Sequence, residues 1–296
     1  MKILVTGGSG LLGSKISEIA SSQGHEVYSA YNTHHPPYGT SIRVDLTDKA
    51  SCIKAFERTK PEIVIHSAAM TNVDLCETDK DMAWKINVEG TRTIAELCNH
   101  HKCFLILIST DYVFDGTKGL YSETDKPSPI NYYGYTKLKA EEAVEKTLEK
   151  YCIVRTSVIF GSRPAAGKIN FALWILDNLR KGKRVNIVTD QINSPTLNTN
   201  LANMVLETAE RRLTGIYHLA SATPISRYDF AILLAREFGL NDELIQPTTS
   251  DKINWIAKRP RNTSLNVTKA SDHLRNKPID IQQAIRKLKQ ELESGG

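Results

Sequence analysis

A tyrosine and a lysine four residues apart occur twice within Asn131-Tyr132-Tyr133-Gly134-Tyr135-Thr136-Lys137-Leu138-Lys139. Residues i and i+4 share one helical face. Either pair, Tyr133 with Lys137 or Tyr135 with Lys139, would set an ammonium beside a phenol. A nearby positive charge lowers a phenol's pKa, which tunes it for proton transfer near neutral pH. The spacing alone leaves both registers open. Upstream, an apolar run ends in Ser109-Thr110-Asp111-Tyr112. Ligands of doubly wound sheets bind outside the carboxyl ends of the strands. A Thr110 hydroxyl there and a Tyr–Lys pair on the following helix would converge on one point, where a carbonyl can be polarised and protonated. The plainer reading is a surface helix that happens to carry the pair.

A second cluster is Thr6-Gly7-Gly8-Ser9-Gly10-Leu11-Leu12-Gly13, just after the first apolar run. Gly7, Gly10 and Gly13 have GxxGxxG spacing, which suits a tight turn and close backbone approach to a pyrophosphate. The helix opening at Leu11 and Leu12 would offer free N–H groups to the phosphates. The second apolar run ends Tyr31-Asn32-Thr33-His34-His35. An NAD site usually has an acid there for the ribose 2′-hydroxyl. Asn32 is no acid, and no arginine follows to clamp a 2′-phosphate. NADPH is the expected cofactor, with NADH as the alternative. Asp45-Leu46, after the next β-like stretch, are expected at the adenine edge.

These residues need a rigid frame. Short β-rich runs at 2–6, 26–31, 62–66, 103–109 and 151–155 alternate with helical patterns at 11–23, 49–59, 82–101 and 131–148. The strands are nearly continuous apolar runs, as in parallel sheets buried on both faces. The expected fold is α/β, a doubly wound parallel sheet of Rossmann type. Beyond 156 the rhythm loosens, with helices at 171–181, 199–211, 228–238 and 281–293 and strands at 184–188 and 215–219. Residues 1–156 are expected to form the dinucleotide-binding domain, with a return around 189–222. The segments 157–188 and 223–296 would form a smaller C-terminal substrate-binding region. Ser226-Arg227-Tyr228-Asp229 resembles a capping box with Asp in place of Glu.

The 296 residues are 41% hydrophobic and 24% charged, a globular composition. Net charge is +5, and the basic residues are spread apart from 180–184 and 258–261. Nucleic-acid binders carry sharper basic stripes, so none is expected as a partner. The longest strongly apolar run is far below a membrane span, and no signal-type segment opens the chain. Five cysteines without a CxxC pair suggest reduced structural thiols. A cytoplasmic location is expected. The adjacent histidine pairs 34–35 and 100–101 do not face one point, and no metal site is expected. A homodimer is the common assembly for such a chain.

Several stretches carry a family resemblance. The glycine loop, Val64-Ile65-His66-Ser67-Ala68-Ala69, Asn87 and the YxxxK pattern resemble the extended short-chain dehydrogenase/reductases. More narrowly, Ser109-Thr110-Asp111-Tyr112-Val113-Phe114-Asp115-Gly116 resembles the dTDP-4-dehydrorhamnose reductases. So do Glu123-Thr124-Asp125, Tyr133-Gly134-Tyr135-Thr136-Lys137, Arg155-Thr156-Ser157, Asp190-Gln191 with Pro195-Thr196, and Arg259-Pro260. The resemblance runs in order over most of the chain, and its YGxTK pattern selects Tyr133 and Lys137. It implies that Thr110 polarises the substrate carbonyl and Tyr133 donates the proton. It implies that Lys137 lowers the Tyr133 pKa and holds the nicotinamide ribose. Ala68 and Ala69 would line the cofactor cleft, and Asp111 and Tyr112 would face the sugar. The implied reaction is NADPH-dependent reduction of the 4-keto group of a dTDP-linked 6-deoxy sugar. Such a substrate is anionic, and Arg155 or the 258–261 cluster is expected at its pyrophosphate.

Three positions depart from the family pattern. Val158 follows Arg-Thr-Ser where Trp is usual, Leu11 replaces a common Gln, and Asn266 replaces a common Asp. The first bears on which sugar is taken. The regulatory β subunit of methionine adenosyltransferase resembles the same reductases, so a non-catalytic NADP-binding subunit is the alternative from another class. An epimerase or dehydratase is the third reading. The Asp-Glu pair of a dehydratase is absent after Thr110, and so is an epimerase's acid at the second strand end. No residue maps to the magnesium that some relatives hold at a dimer contact.

Overall fold

The structure, a computed structural model, describes residues 1–295. Its centre is a seven-stranded sheet, every neighbouring pair parallel. The strands are β1 (Lys2–Thr6), β2 (Glu26–Tyr31), β3 (Thr40–Arg43), β4 (Ile63–His66), β5 (Phe104–Thr110), β6 (Tyr151–Thr156) and, far along the chain, β11 (Gly215–His218). Their order is β11-β6-β5-β4-β1-β2-β3. This is the doubly wound Rossmann-type sheet expected from the continuous apolar runs. Every residue of β5 is buried.

Successive side chains of a strand face opposite sides, and each side here has its own helical cover. On one face Ile3 and Val5 pack with Leu12 and Ile16 of α1 (Leu11–Ser22), and with Leu201 and Val205 of α8 (Asn198–Glu210). On the other, Leu4, Val64 and Leu105 meet three helices. These are α2 (Lys49–Thr59) through Phe56, α5 (Thr91–His101) through Ile94, and α6 (Tyr132–Thr147) through Val144. Burying each such large side chain contributes about 1.5–3 kcal/mol.

A separate core lies off the sheet. There α7 (Phe171–Arg180), α9 (Arg227–Glu237) and α11 (Ile281–Glu293) pack around Phe160, Phe230 and Ile285. Three short strand pairs brace this region. They are β7 (Ile159–Phe160) with β10 (Thr196–Leu197), β9 (Ile192–Asn193) with β12 (Ile225–Ser226), and β8 (Val185–Val188) with β13 (Ile245–Thr248). A short helix, α10 (Thr268–His273), packs its Ala270 into the first core.

The helix expected over 82–101 is interrupted. It runs as α4 (Lys80–Trp84), a π-helical turn at Lys85–Gly90, and then α5; a further helix, α3 (Val73–Thr78), precedes it. A π turn widens the helix and resets the phase of its buried stripe. Asn87 and Val88, neighbours in sequence, are therefore both buried. The Asn87 side chain accepts from the Met70 N–H at 2.8 Å and donates to the Met70 carbonyl at 3.1 Å and to Thr136 Oγ1 at 3.0 Å. Among the described residues no helix is long and apolar enough to cross a membrane. All five cysteines are unpaired and buried.

Candidate active site

A cleft of about 920 Å³ lies along the carboxyl ends of the strands. At its floor the chain leaves β1 at Thr6 and turns through Gly7, whose φ of +70° favours glycine. The Gly10 N–H closes this turn on the Gly7 carbonyl at 2.9 Å. A Cβ on Gly7 would lie 2.9 Å from the Ala68 nitrogen, and one on Gly13 only 2.2 Å from the Gly7 carbonyl oxygen. No side chain caps the start of α1 at Gly10. Its first N–H groups are therefore left for a ligand, and the shape and dipole there suit a pyrophosphate.

Gly7, Gly10, Leu11, Leu12 and Gly13 all line the cleft. So do Ala68 and Ala69, held against the loop by Thr6. The Ala68 N–H donates to Thr6 Oγ1 at 3.2 Å, and Ser67 Oγ donates to the Thr6 carbonyl at 2.6 Å. Beneath them His66 bridges Thr6 and Thr91 at 2.7 and 3.0 Å. Burial, aided by the Lys137 charge, pushes its pKa down to about 3, so it stays neutral. Asn32, Asp45 and Leu46 line the far end. Asp45 accepts from the Thr47 hydroxyl at 2.7 Å and N–H at 2.8 Å, and these bonds hold its carboxyl below the usual range.

At the other end the structure gathers Thr110, Tyr133 and Lys137. Thr110 ends β5 and caps a short 3₁₀ turn, Asp111–Val113, by accepting from the Tyr112 N–H at 3.2 Å. Asn131 caps α6 by accepting from the Gly134 N–H at 2.9 Å. Gly134 lets the helix press on that turn, since a Cβ there would lie 2.1 Å from the Tyr112 carbonyl oxygen. Tyr133 is thereby set beside Thr110. The second register stays outside the cleft. Tyr135 is 39% exposed, and Lys139 pairs with Glu142 at 2.8 Å.

Burial governs the protonation states at this end of the cleft. Burial raises the Tyr133 pKa well above the ordinary phenol value, with the Thr110 hydrogen bond pulling the other way. The Lys137 ammonium is turned to the Ile108 carbonyl at 2.7 Å. Burial brings its own pKa down to about 8, partly opposed by Glu141.

Asp111 and Tyr112 also line the cleft. Asp111 is buried and accepts from Thr263 Oγ1 at 2.5 Å, Ser157 Oγ at 2.9 Å and Thr110 Oγ1 at 3.0 Å. Burial raises its pKa against these three bonds. The Tyr112 ring meets that of Tyr133 edge-on at 6.0 Å. Arg155 corrects an expectation, because it does not line the cleft. Its Nη2 pairs with Glu141 at 2.6 Å, and its guanidinium lies 5.2 Å over Phe114. Ser109 donates to the same carboxylate. The 258–261 cluster is also elsewhere: Arg259 pairs with Asp74 at 2.9 Å and covers Trp255.

Val158, at the position where the family usually carries Trp, does line the cleft, and so does Arg227, which the sequence did not single out. Arg227 sits inside the Ser226–Asp229 cap, where Ser226 Oγ accepts from the Asp229 N–H at 2.9 Å. The Asp229 carboxylate accepts from that same hydroxyl rather than from the Ser226 backbone, so the box is not reciprocal. A cap motif signals helix geometry, and nothing in it marks Arg227 as a ligand contact.

The family model described as RmlD substrate binding domain matches residues 1–294. The dTDP-4-dehydrorhamnose reductase of Aggregatibacter actinomycetemcomitans is 30% identical over 300 residues, covering 97% of this chain and 98% of that one. Methionine adenosyltransferase 2 subunit beta of Xenopus laevis is 29% identical over 275 residues, covering 90% and 81%. Among solved structures, dTDP-4-dehydrorhamnose reductase from Bacillus anthracis in complex with NADP superposes with a TM-score of 0.88. It is 27% identical and covers 98% of this chain and 100% of its own.

Proposed function

The chain belongs to the RmlD family, and from that premise we propose that it is an NADPH-dependent reductase of dTDP-4-dehydro-6-deoxy-L-mannose, yielding dTDP-L-rhamnose. The observation that carries this reading is the meeting of Thr110, Tyr133 and Lys137 at one end of a cleft whose other end is the uncapped glycine loop. The close-packed loop and the open N–H groups of α1 fit a dinucleotide pyrophosphate. Gly7, Gly10, Leu11, Leu12 and Gly13 would hold it, with Asn32, Asp45 and Leu46 at the adenosine end and Ala68 and Ala69 along the middle. Bound NADPH supplies the hydride.

The chain's own residues handle the proton. Thr110 polarises the C4 carbonyl by turning its hydroxyl proton from the Asp111 carboxylate to the substrate oxygen. Tyr133, kept as a neutral phenol by burial, donates its proton to the developing alkoxide. Lys137, charged below about pH 8, places a positive charge beside the nicotinamide end and braces the strand through Ile108. Tyr112 and Asp111 border the sugar. Residues 1–156, with the return at 189–222, serve as the dinucleotide-binding domain, and 157–188 with 223–296 as the substrate-binding region. The separate helical core supports that division. A cytoplasmic setting suits the five unpaired thiols.

The test is NADPH oxidation by the purified chain, with the keto sugar generated in place and NADH run in parallel. Rapid oxidation with NADPH supports the reading. Tight NADPH binding with no turnover would move the reading to another keto sugar, as Val158 suggests, or to a non-catalytic subunit.

A further inference from the structure

Three arginines stand out as candidate anion contacts, and they are not equivalent. Arg155 is locked to Glu141, and Arg259 to Asp74. Arg227 lines the cleft together with Asp111 and Tyr112, and no acid lies within ion-pair distance of it among the described residues. Its setting is rigid. The guanidinium carbon stands 4.9 Å over the Phe171 ring, Nε donates to Gln191 Oε1 at 3.0 Å, and its backbone N–H donates to the Gln191 carbonyl at 3.0 Å. With Nε and one face occupied, the planar fork of the two terminal nitrogens carries the remaining donors of a residue that lines the cleft. Such a fork matches the paired oxygens of a phosphate.

The substrate's own shape indicates which phosphate. In a nucleoside-diphosphate sugar the anomeric C1 lies across the ring from C4. A C4 carbonyl at Tyr133 therefore sends the diphosphate to the far side of the sugar site. Tyr112 meets Tyr133 edge-on, and Arg227 lines the same cleft as both. From this geometry we infer that Arg227 is the diphosphate anchor of the nucleotide-sugar substrate, a role that rests on the reductase reading above. The anchor comes from the α9 region and thus ties substrate binding to the second core.

The test compares dTDP with thymidine in calorimetric titrations of the whole chain, wild type against Arg227→Met and Arg227→Lys. Loss of a charge-assisted fork is expected to weaken dTDP binding roughly 10- to 100-fold in Arg227→Met. Thymidine binding should change by less than about twofold, as expected for a site not touched. Arg227→Lys should fall between, since it keeps the charge and loses the fork. NADPH affinity reports folding, and the lysine variant carries the test should the methionine one lose it. Unchanged dTDP affinity overturns the proposal, as does an equal loss for thymidine. If wild type binds dTDP but reduces no keto sugar, the reductase reading fails alone and the dTDP-to-thymidine ratio still decides Arg227. A wild type that binds no nucleoside diphosphate overturns both.

Discussion

The Lys137 ammonium donates a 2.7 Å hydrogen bond to the carbonyl of Ile108, the β5 residue two places before Thr110. The helix that carries Tyr133 is thus tied to the strand that carries Thr110. The bond also fixes a buried cation where burial alone would expel it, and its pKa falls to about 8.

That depression has a thermodynamic signature. An unfolded lysine keeps its proton up to about pH 10.4, whereas folded Lys137 releases it near 8. Between those values the unfolded chain binds more protons, so stability must rise with pH. Below pH 8 the full cost of burying the charge applies. Subtracting the unfolding free energy of Lys137→Met, which has no such titration, isolates the effect. The difference should climb by up to ~3 kcal/mol across this window. A difference that stays flat with pH would remove the buried-cation account.

Tyr133→Phe should lower kcat roughly 100- to 10,000-fold, the usual range for a lost general acid, and leave NADPH affinity intact. Tyr135→Phe should change kcat by less than about twofold, since it lies at the surface against Trp84 and Tyr132. The reverse pattern would assign the chemistry to the other register.

Glu141→Gln should destabilise the fold by about 3–5 kcal/mol in denaturant titration, because Arg155 keeps its charge with 3% side-chain exposure and loses its partner. The double change Glu141→Leu with Arg155→Met should cost less than the single one. Equal or greater loss in the double variant would mean that the pair stabilises the fold in its own right.

Asn32→Asp should turn cofactor preference toward NADH. Asn32 lines the cleft at the end of β2, and a carboxylate there would repel a 2′-phosphate and accept from a 2′-hydroxyl. The ratio of kcat/KM for NADPH to that for NADH should drop roughly tenfold or more. An unmoved ratio would place the 2′-phosphate away from Asn32.

The sheet was legible because strands buried on both faces must be apolar throughout, as β4 and β5 are. The glycine loop was legible because few residues fit its turn. The π turn at Lys85–Gly90 was not, since it depends on where Asn87 finds partners, at Met70 and Thr136, far away in sequence. Arg155 misled for a related reason. A charge in a strand suggests a ligand, but its partner Glu141 sits on the neighbouring helix and takes it out of reach. Spacing alone left Tyr133 and Tyr135 open and the YGxTK resemblance selected Tyr133; the Gly134 contact with the Tyr112 backbone supplies the physical reason, which spacing does not encode.

Helix α1 lies between the sheet and α8, so its buried face is shared between early strands and a late helix. Leu12, Ile16 and Ala20 pack on Leu201, Val205 and Ala209, and Asn198 Nδ2 bonds the Leu11 carbonyl at 3.2 Å across 187 positions. On the ribosome the glycine loop emerges well before α8, so part of the apolar face of its helix stays uncovered until residues 198–210 have been made. Domains fold as units during synthesis, and bare apolar surface invites aggregation. Premature termination before α8 should therefore yield insoluble fragments, not a small nucleotide binder, and synthesis past residue 210 becomes the commitment step for the nascent protein.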